Sequence, residues 1–134
     1  MIVLDASVVV KLVIGSEPGN DAATKLLDKH VRGSQKIAVP NFLFVEVANM
    51  MATKSDFLES EIERSLSFLY KLEFQVENVD MDILVEAAIL AKKNRLAVYD
   101  MLYAVLAKKL KTELVTADEN FVKKSGFSWV KILS

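Results

Sequence analysis

Short apolar runs alternate along this chain with stretches whose apolar residues recur every three or four positions. Ile2-Val3-Leu4 is one such run, stopping at Asp5. Ile37-Ala38-Val39, Phe74-Gln75-Val76, Leu114-Val115-Thr116 and Trp129-Val130-Lys131 are the others, the last read as an edge strand. Helical spacing fills the gaps. Ala6 to Ile14 predicts a helix ended near Gly15 and Pro18, and Gly19 to Val31 a second on Ala23, Leu26, Leu27 and Val31, closed by Gly33. Asn41 to Thr53 is apolar on most faces, which predicts a deeply buried helix. Leu58, Ile62, Leu66 and Leu69 mark another helix, and Leu84, Ala87, Ala88 and Ala91 one that stops near Asn94. Asp100 to Leu110 and Asp118 to Lys124 complete the series, with Gly126 ending the last. Strands alternating with helices imply βαβ units and a parallel sheet covered on both faces.

Length and composition narrow this picture. The 134 residues, 52% of them hydrophobic, suffice for one domain with a real core and leave little room for disorder. No repeat, linker or low-complexity segment divides them, so residues 1–134 are read as a single domain. With no cysteine, disulfides, thiolate metal sites and a cysteine nucleophile are excluded. The lone His30 argues against a histidine-rich zinc site and a Ser-His-Asp triad, and is read as structural. Apolar runs broken by Lys11, Glu46 or Asp100 are too short to span a bilayer. The opening residues lack a basic region followed by a long apolar one, so the expectation is a cytoplasmic protein without a secretory leader. A formal charge of −1 does not describe a protein coated for nonspecific nucleic-acid binding.

The carboxylates carry the candidate chemistry. Asp5, Asp100 and Asp118 each stand where an N-cap would, and alone each reads as a cap or as a ligand. Glu46 lies inside Phe42-Leu43-Phe44-Val45-Glu46-Val47-Ala48, where a charge is costly unless it is paired, hydrogen-bonded or metal-bound. A salt bridge or a hydrogen bond from Asn49, one turn on, are the alternatives. Open parallel sheets bind ligands beyond the carboxyl ends of their strands, at the point where strand order reverses. Were the first and fourth strands neighbours, Asp5 and Asp118 would meet there. Several carboxylates in one cleft raise one another's pKa values, and a hard divalent cation relieves this. Oxygen-only ligands suit Mg²⁺ or Mn²⁺, and such a site fits phosphodiester hydrolysis.

In order and context the acidic segments resemble the PIN-domain family. Val3-Leu4-Asp5-Ala6-Ser7 is similar to its opening strand and first acidic position, with a small hydroxyl residue two places on. Phe44-Val45-Glu46-Val47-Ala48-Asn49 resembles its acidic helix. Tyr99-Asp100-Met101-Leu102-Tyr103-Ala104 resembles its third acidic position, and Leu114-Val115-Thr116-Ala117-Asp118-Glu119-Asn120-Phe121 its fourth. The resemblance implies a three-layer α/β fold: a five-stranded parallel sheet, order 3-2-1-4-5, with helices on both faces. It implies Mg²⁺- or Mn²⁺-dependent cleavage of RNA, with Asp5, Glu46, Asp100 and Asp118 as catalytic metal site, Ser7 and Thr116 as supporting hydroxyls and Asn120 as a further polar contributor. A lone small domain of this kind looks most like a VapC toxin. That implies a homodimer held inactive by a VapB-type antitoxin whose tail lies over the cleft. Leu12, where many relatives carry an aromatic, departs from the pattern as a core or groove variation without loss of chemistry, and Met101, where a smaller residue is frequent, leaves substrate preference open.

Rival readings fit less well. The glycines form neither a phosphate loop ending in Lys-Ser or Lys-Thr nor a dinucleotide fingerprint. A haloacid-dehalogenase-like phosphatase would want an Asp where Ser7 stands, and a response-regulator-like domain a better acceptor than Asn78-Val79-Asp80. The remaining alternative is a non-catalytic module of the same fold that binds RNA or protein. Two basic runs, Lys92-Lys93 with Arg95 and Lys108-Lys109 with Lys111, are read first as solvated helix faces and second as RNA guides.

Overall fold

A computed structural model describes residues 1–14, 19–54 and 56–134. Strands β1 (Ile2–Leu4), β2 (Ile37–Pro40), β3 (Gln75–Glu77), β4 (Glu113–Thr116) and β5 (Val130–Ile132) form one sheet in the order β3-β2-β1-β4-β5. Every pairing is parallel, with Ile2 opposite Ile37 on one side of β1 and opposite Glu113 on the other. The central strand must be apolar on both faces because helices cover both. Val3 and Leu4 are accordingly fully buried, while Gln75 and Val76 on the edge strand β3 are exposed. The chain moves outward from β1 through β2 to β3, then returns to β1's other side for β4. Strand order therefore reverses between β1 and β4, and beyond the carboxyl ends of strands at such a point open parallel sheets form their ligand crevice.

The helices are α1 (Ala6–Val13), α2 (Asn20–Val31), α3 (Leu43–Thr53), α4 (Glu59–Lys71), α5 (Met81–Asn94), α6 (Val98–Lys109) and α7 (Glu119–Ser125). The end of α1 expected near Gly15 and Pro18 lies outside the described residues; α1 closes at Ile14. Aspartates cap three helices: Asp5 accepts from the Val8 N–H, Asp80 from Ile83 and Asp118 from Phe121. Gly126 ends α7 at φ 63°, a left-handed conformation glycine adopts without steric cost. No helix among the described residues is long and apolar enough to cross a membrane.

Three helix expectations need correcting. α3 is not deeply buried: Leu43, Val47 and Met51, spaced at four, are enclosed, Phe44 and Met50 pack against the core only in part, and Val45 is 68% exposed. The helix buried all round is α6, whose residues Met101 to Ala107 are all enclosed between the sheet and its neighbours. Asp100 does not cap it. α6 begins at Val98 after Ala97, so Asp100 falls within the first turn. On α5 the inward positions are Ile83, Ala87 and Ala91, which leaves Leu84 and Ala88 outside.

On α2 the buried positions are Ala23, as expected, and His30, 3% exposed, while Val31 faces solvent. Its Nδ1 accepts from the Ile37 N–H at 3.0 Å, so the proton sits on Nε2, which donates to the Leu72 carbonyl at 2.8 Å. One imidazole thus joins α2, the start of β2 and the end of α4. His30→Phe would strand both backbone groups. We expect urea unfolding to show a loss of about 2–4 kcal/mol, and a loss under about 1 kcal/mol would contradict this role.

Candidate metal centre

Asp5 is placed at the crevice because β1 ends there, and capping α1 fixes its side chain. Its Oδ1 accepts from the Val8 N–H at 3.3 Å and from the Ser7 hydroxyl at 2.5 Å. Ser7 does more than restrain Asp5. Its oxygen accepts the Ala117 N–H at 3.0 Å and lies 3.4 Å from the Thr116 hydroxyl. Thr116 Oγ1 in turn accepts the Asp118 N–H at 3.1 Å. Two small hydroxyls therefore lace the β1–α1 corner to the β4–α7 corner across the crevice, joining residues more than a hundred positions apart. Asp118, exposed, caps α7 through Oδ1 at 3.0 Å from the Phe121 nitrogen.

The other two acids come from helices. Asp100 is half-buried in the first turn of α6 and makes no hydrogen bond among the described residues. Glu46, also half-buried, accepts a 2.6 Å bond from the Tyr103 hydroxyl through Oε1. Asn49, the expected partner, is exposed and makes no described bond to it. The described ion pairs, Lys108–Glu86, Lys109–Asp80 and Lys131–Glu113, involve none of these four acids. They do occupy two lysines of one basic run as surface pairs.

Through Asp100, mutual repulsion couples the four acids. Burial pushes the Asp5 carboxyl up to about 6, against the Ser7, Thr116 and Val8 hydrogen bonds, with Asp100 adding to the rise. Asp100 is raised by burial, then by Asp118 and Glu46, with nothing acting the other way. Tyr103 is raised by burial, then by its bond to Glu46 and the charges of Glu46, Asp5 and Asp100, so its phenol stays protonated. Among the described residues no three acids converge closely enough to enclose an ion. Repulsion between carboxylates opposes such convergence. The donor set nevertheless suits a hard cation: carboxylate and hydroxyl oxygens, no cysteine, and the histidine committed elsewhere. Mg²⁺ in particular keeps several waters and takes only one or two carboxylates directly.

Asn120 lies two residues past Asp118 but is exposed, with no described bond to the cluster. Tyr103 was not among the expected residues. The available signal was a tyrosine three positions after Asp100 in an otherwise apolar helix, hence on the same face.

These features define an open parallel α/β domain with an acidic, oxygen-lined crevice at its switch point. Residues 2–126 match the sequence profile of the PIN domain, and the chain belongs to the PIN-domain family. No curated protein matches it in sequence. Its fold is similar to that of PAE2754 from Pyrobaculum aerophilum, with a TM-score of 0.74 and 21% identity over 98% of this chain and 83% of that one. It is also similar to VapC20 of Mycobacterium tuberculosis, a sarcin-ricin loop cleaving toxin, with a TM-score of 0.72 and 13% identity over the whole of both chains. A toxin–antitoxin complex from Klebsiella pneumoniae gives 0.71 and 17% identity over 97% of this chain and 95% of that one.

The raised Asp5 carboxyl has a consequence for stability. With a folded pKa above the unfolded one, Asp5 binds its proton more tightly in the native state, so its contribution falls as pH rises from about 4 to about 6. In chelator-treated protein we expect this to cost roughly 2–3 kcal/mol across that window, and Asp5→Asn to remove the corresponding part of the slope. Identical pH–stability curves for the two proteins would contradict the assignment.

Proposed function

We propose that residues 1–134 form a single nuclease domain that hydrolyses RNA phosphodiesters with Mg²⁺ or Mn²⁺, as the toxin of a VapBC toxin–antitoxin pair. The observation that carries this reading is the coupling of Asp5, Glu46, Asp100 and Asp118 around the β1–β4 crevice, where each charge found at Asp100 opposes its ionisation. These four acids would hold the cation. When bound, it supplies positive charge to the phosphate and makes a water nucleophilic near neutral pH.

The chain's own contribution is orientation. Ser7 and Thr116 fix the two strand corners on which Asp5 and Asp118 stand. Asp118 is exposed and has its Oδ1 occupied by the α7 cap, which leaves Oδ2 to orient a water or a phosphate-bound ligand. Asn120, exposed two residues past Asp118, would assist as a further polar group. RNA as substrate is supported by VapC20 and its cleavage of the sarcin-ricin loop. A VapB-type antitoxin is supported by the similar fold within the Klebsiella complex. For a homodimer, the support is an apolar stripe on α5, where Met81, Val85 and Ile89 are about half exposed or more. Its place of action would be the cytoplasm, with its RNA.

One observation favours the alternative, a non-catalytic RNA- or protein-binding module: the acids do not converge on their own. Cleavage decides between them. With Mn²⁺ and a structured RNA, the wild type is expected to cut. Asp100→Asn is expected to lose about 100-fold or more in rate, with a metal-free melting temperature no lower than that of the wild type. RNA bound but left intact by the wild type would favour the binding module, and full activity in Asp100→Asn would remove Asp100 from the site.

A further inference from the structure

We propose that Tyr103 is a positioning residue, holding Glu46 as a one-oxygen ligand for the cation through the hydrogen bond from its hydroxyl; this rests on the metal-site reading above. Tyr103 is 1% exposed in the middle of α6. Its neighbours Met101, Leu102, Ala104, Val105 and Leu106 are all apolar and buried, so packing alone gives no reason for a hydroxyl there. A buried phenol needs an acceptor, and this one meets Glu46 Oε1 at 2.6 Å.

The ring is fixed from the same element that carries Glu46. Phe42, the residue preceding α3, meets it edge-on, with centroids 5.1 Å apart and planes at 69°. Glu46 follows one turn later. Tyr103 therefore touches the Phe42–Glu46 segment twice, through its ring at the residue that precedes α3 and its hydroxyl in the first turn, while Asp100 stands one turn before it on α6. Glu46 is a long, half-buried side chain with no other described bond. The hydroxyl restrains its swing into solvent and engages Oε1, which leaves Oε2 as the carboxylate oxygen without a described partner and the freer one for an ion. Partners of ligating carboxylates act in this way at metal sites, and losing one typically weakens metal affinity about 10–100-fold.

The opposite reading is that Glu46 merely satisfies a core tyrosine. A double-mutant cycle on the full chain separates the two, with free Mn²⁺ measured by electron paramagnetic resonance and urea stability followed in parallel. We expect Tyr103→Phe to weaken Mn²⁺ binding about 10-fold. In a Glu46→Gln background the same change should cost nothing further. Equal affinity in wild type and Tyr103→Phe overturns the proposal while leaving the metal site standing. So does a loss that persists undiminished beside Glu46→Gln. Absence of Mn²⁺ binding by the wild type overturns the metal-site reading and this proposal together. A second readout needs no change at Tyr103. In ¹³C-tyrosine-labelled protein, Mg²⁺ should move the Tyr103 ring resonance in the wild type and not in Glu46→Gln, and an unmoved wild-type resonance overturns the proposal.

Discussion

Like charge held at the mouth of a dry core is the constraint around which this molecule is arranged. β1 is buried on both faces, so Asp5, just past it, inherits a poorly solvated environment. Asp5 and Asp118 are brought to that edge by the strands, and Asp100 and Glu46 by the helices that pack beside them. The fold meets the cost in two ways. Cap geometry gives Asp5 and Asp118 a backbone N–H each. The Ser7 and Thr116 hydroxyls then use short side chains to tie both corners into one rigid edge. What these devices leave over is mutual repulsion, which a hard cation is suited to neutralise.

Capping and catalysis are often treated as competing explanations for an aspartate after a strand. Under the proposed function one residue would serve both ends. Asp5 starts α1 and also faces the crevice, and Asp118 does the same for α7. A cap fixes the side-chain torsions of the residue that makes it, so a capping carboxylate is already oriented before any ligand arrives. Asp100 has no such support, and its raised affinity for protons reflects burial and two neighbouring carboxylates alone.

Most of the architecture was legible in the chain because strand burial leaves a plain mark. Three fully apolar residues ending in Asp announce β1, and Gly126 announces the end of α7. Helix depth was harder to read. Phe44, Val45, Ala48 and Met50 make α3 look buried throughout, yet only the stripe of Leu43, Val47 and Met51 is fully enclosed, with Phe44 and Met50 at its margins. α6 carries Tyr103 and two lysines and is nevertheless the enclosed helix, because it lies against β1, β2 and β4. Burial of a helix is decided by what the topology places around it, which periodicity does not report. The four acids were visible from their contexts. Tyr103 was not, since a tyrosine in an apolar helix looks like core until its hydroxyl is seen to meet Glu46. His30 gave the same lesson in reverse, as a polar residue that outranked Val31 for the buried position because two backbone groups require it.

The central claim is that the crevice acids form a cation site, and a thermal-shift titration with Mn²⁺ on the wild type and Asp5→Asn tests it most directly. A ligand that binds only the folded state raises the melting temperature in a saturable way. The account predicts such a rise for the wild type and its loss in Asp5→Asn. No shift at millimolar Mn²⁺, or an equal shift in both proteins, would contradict it.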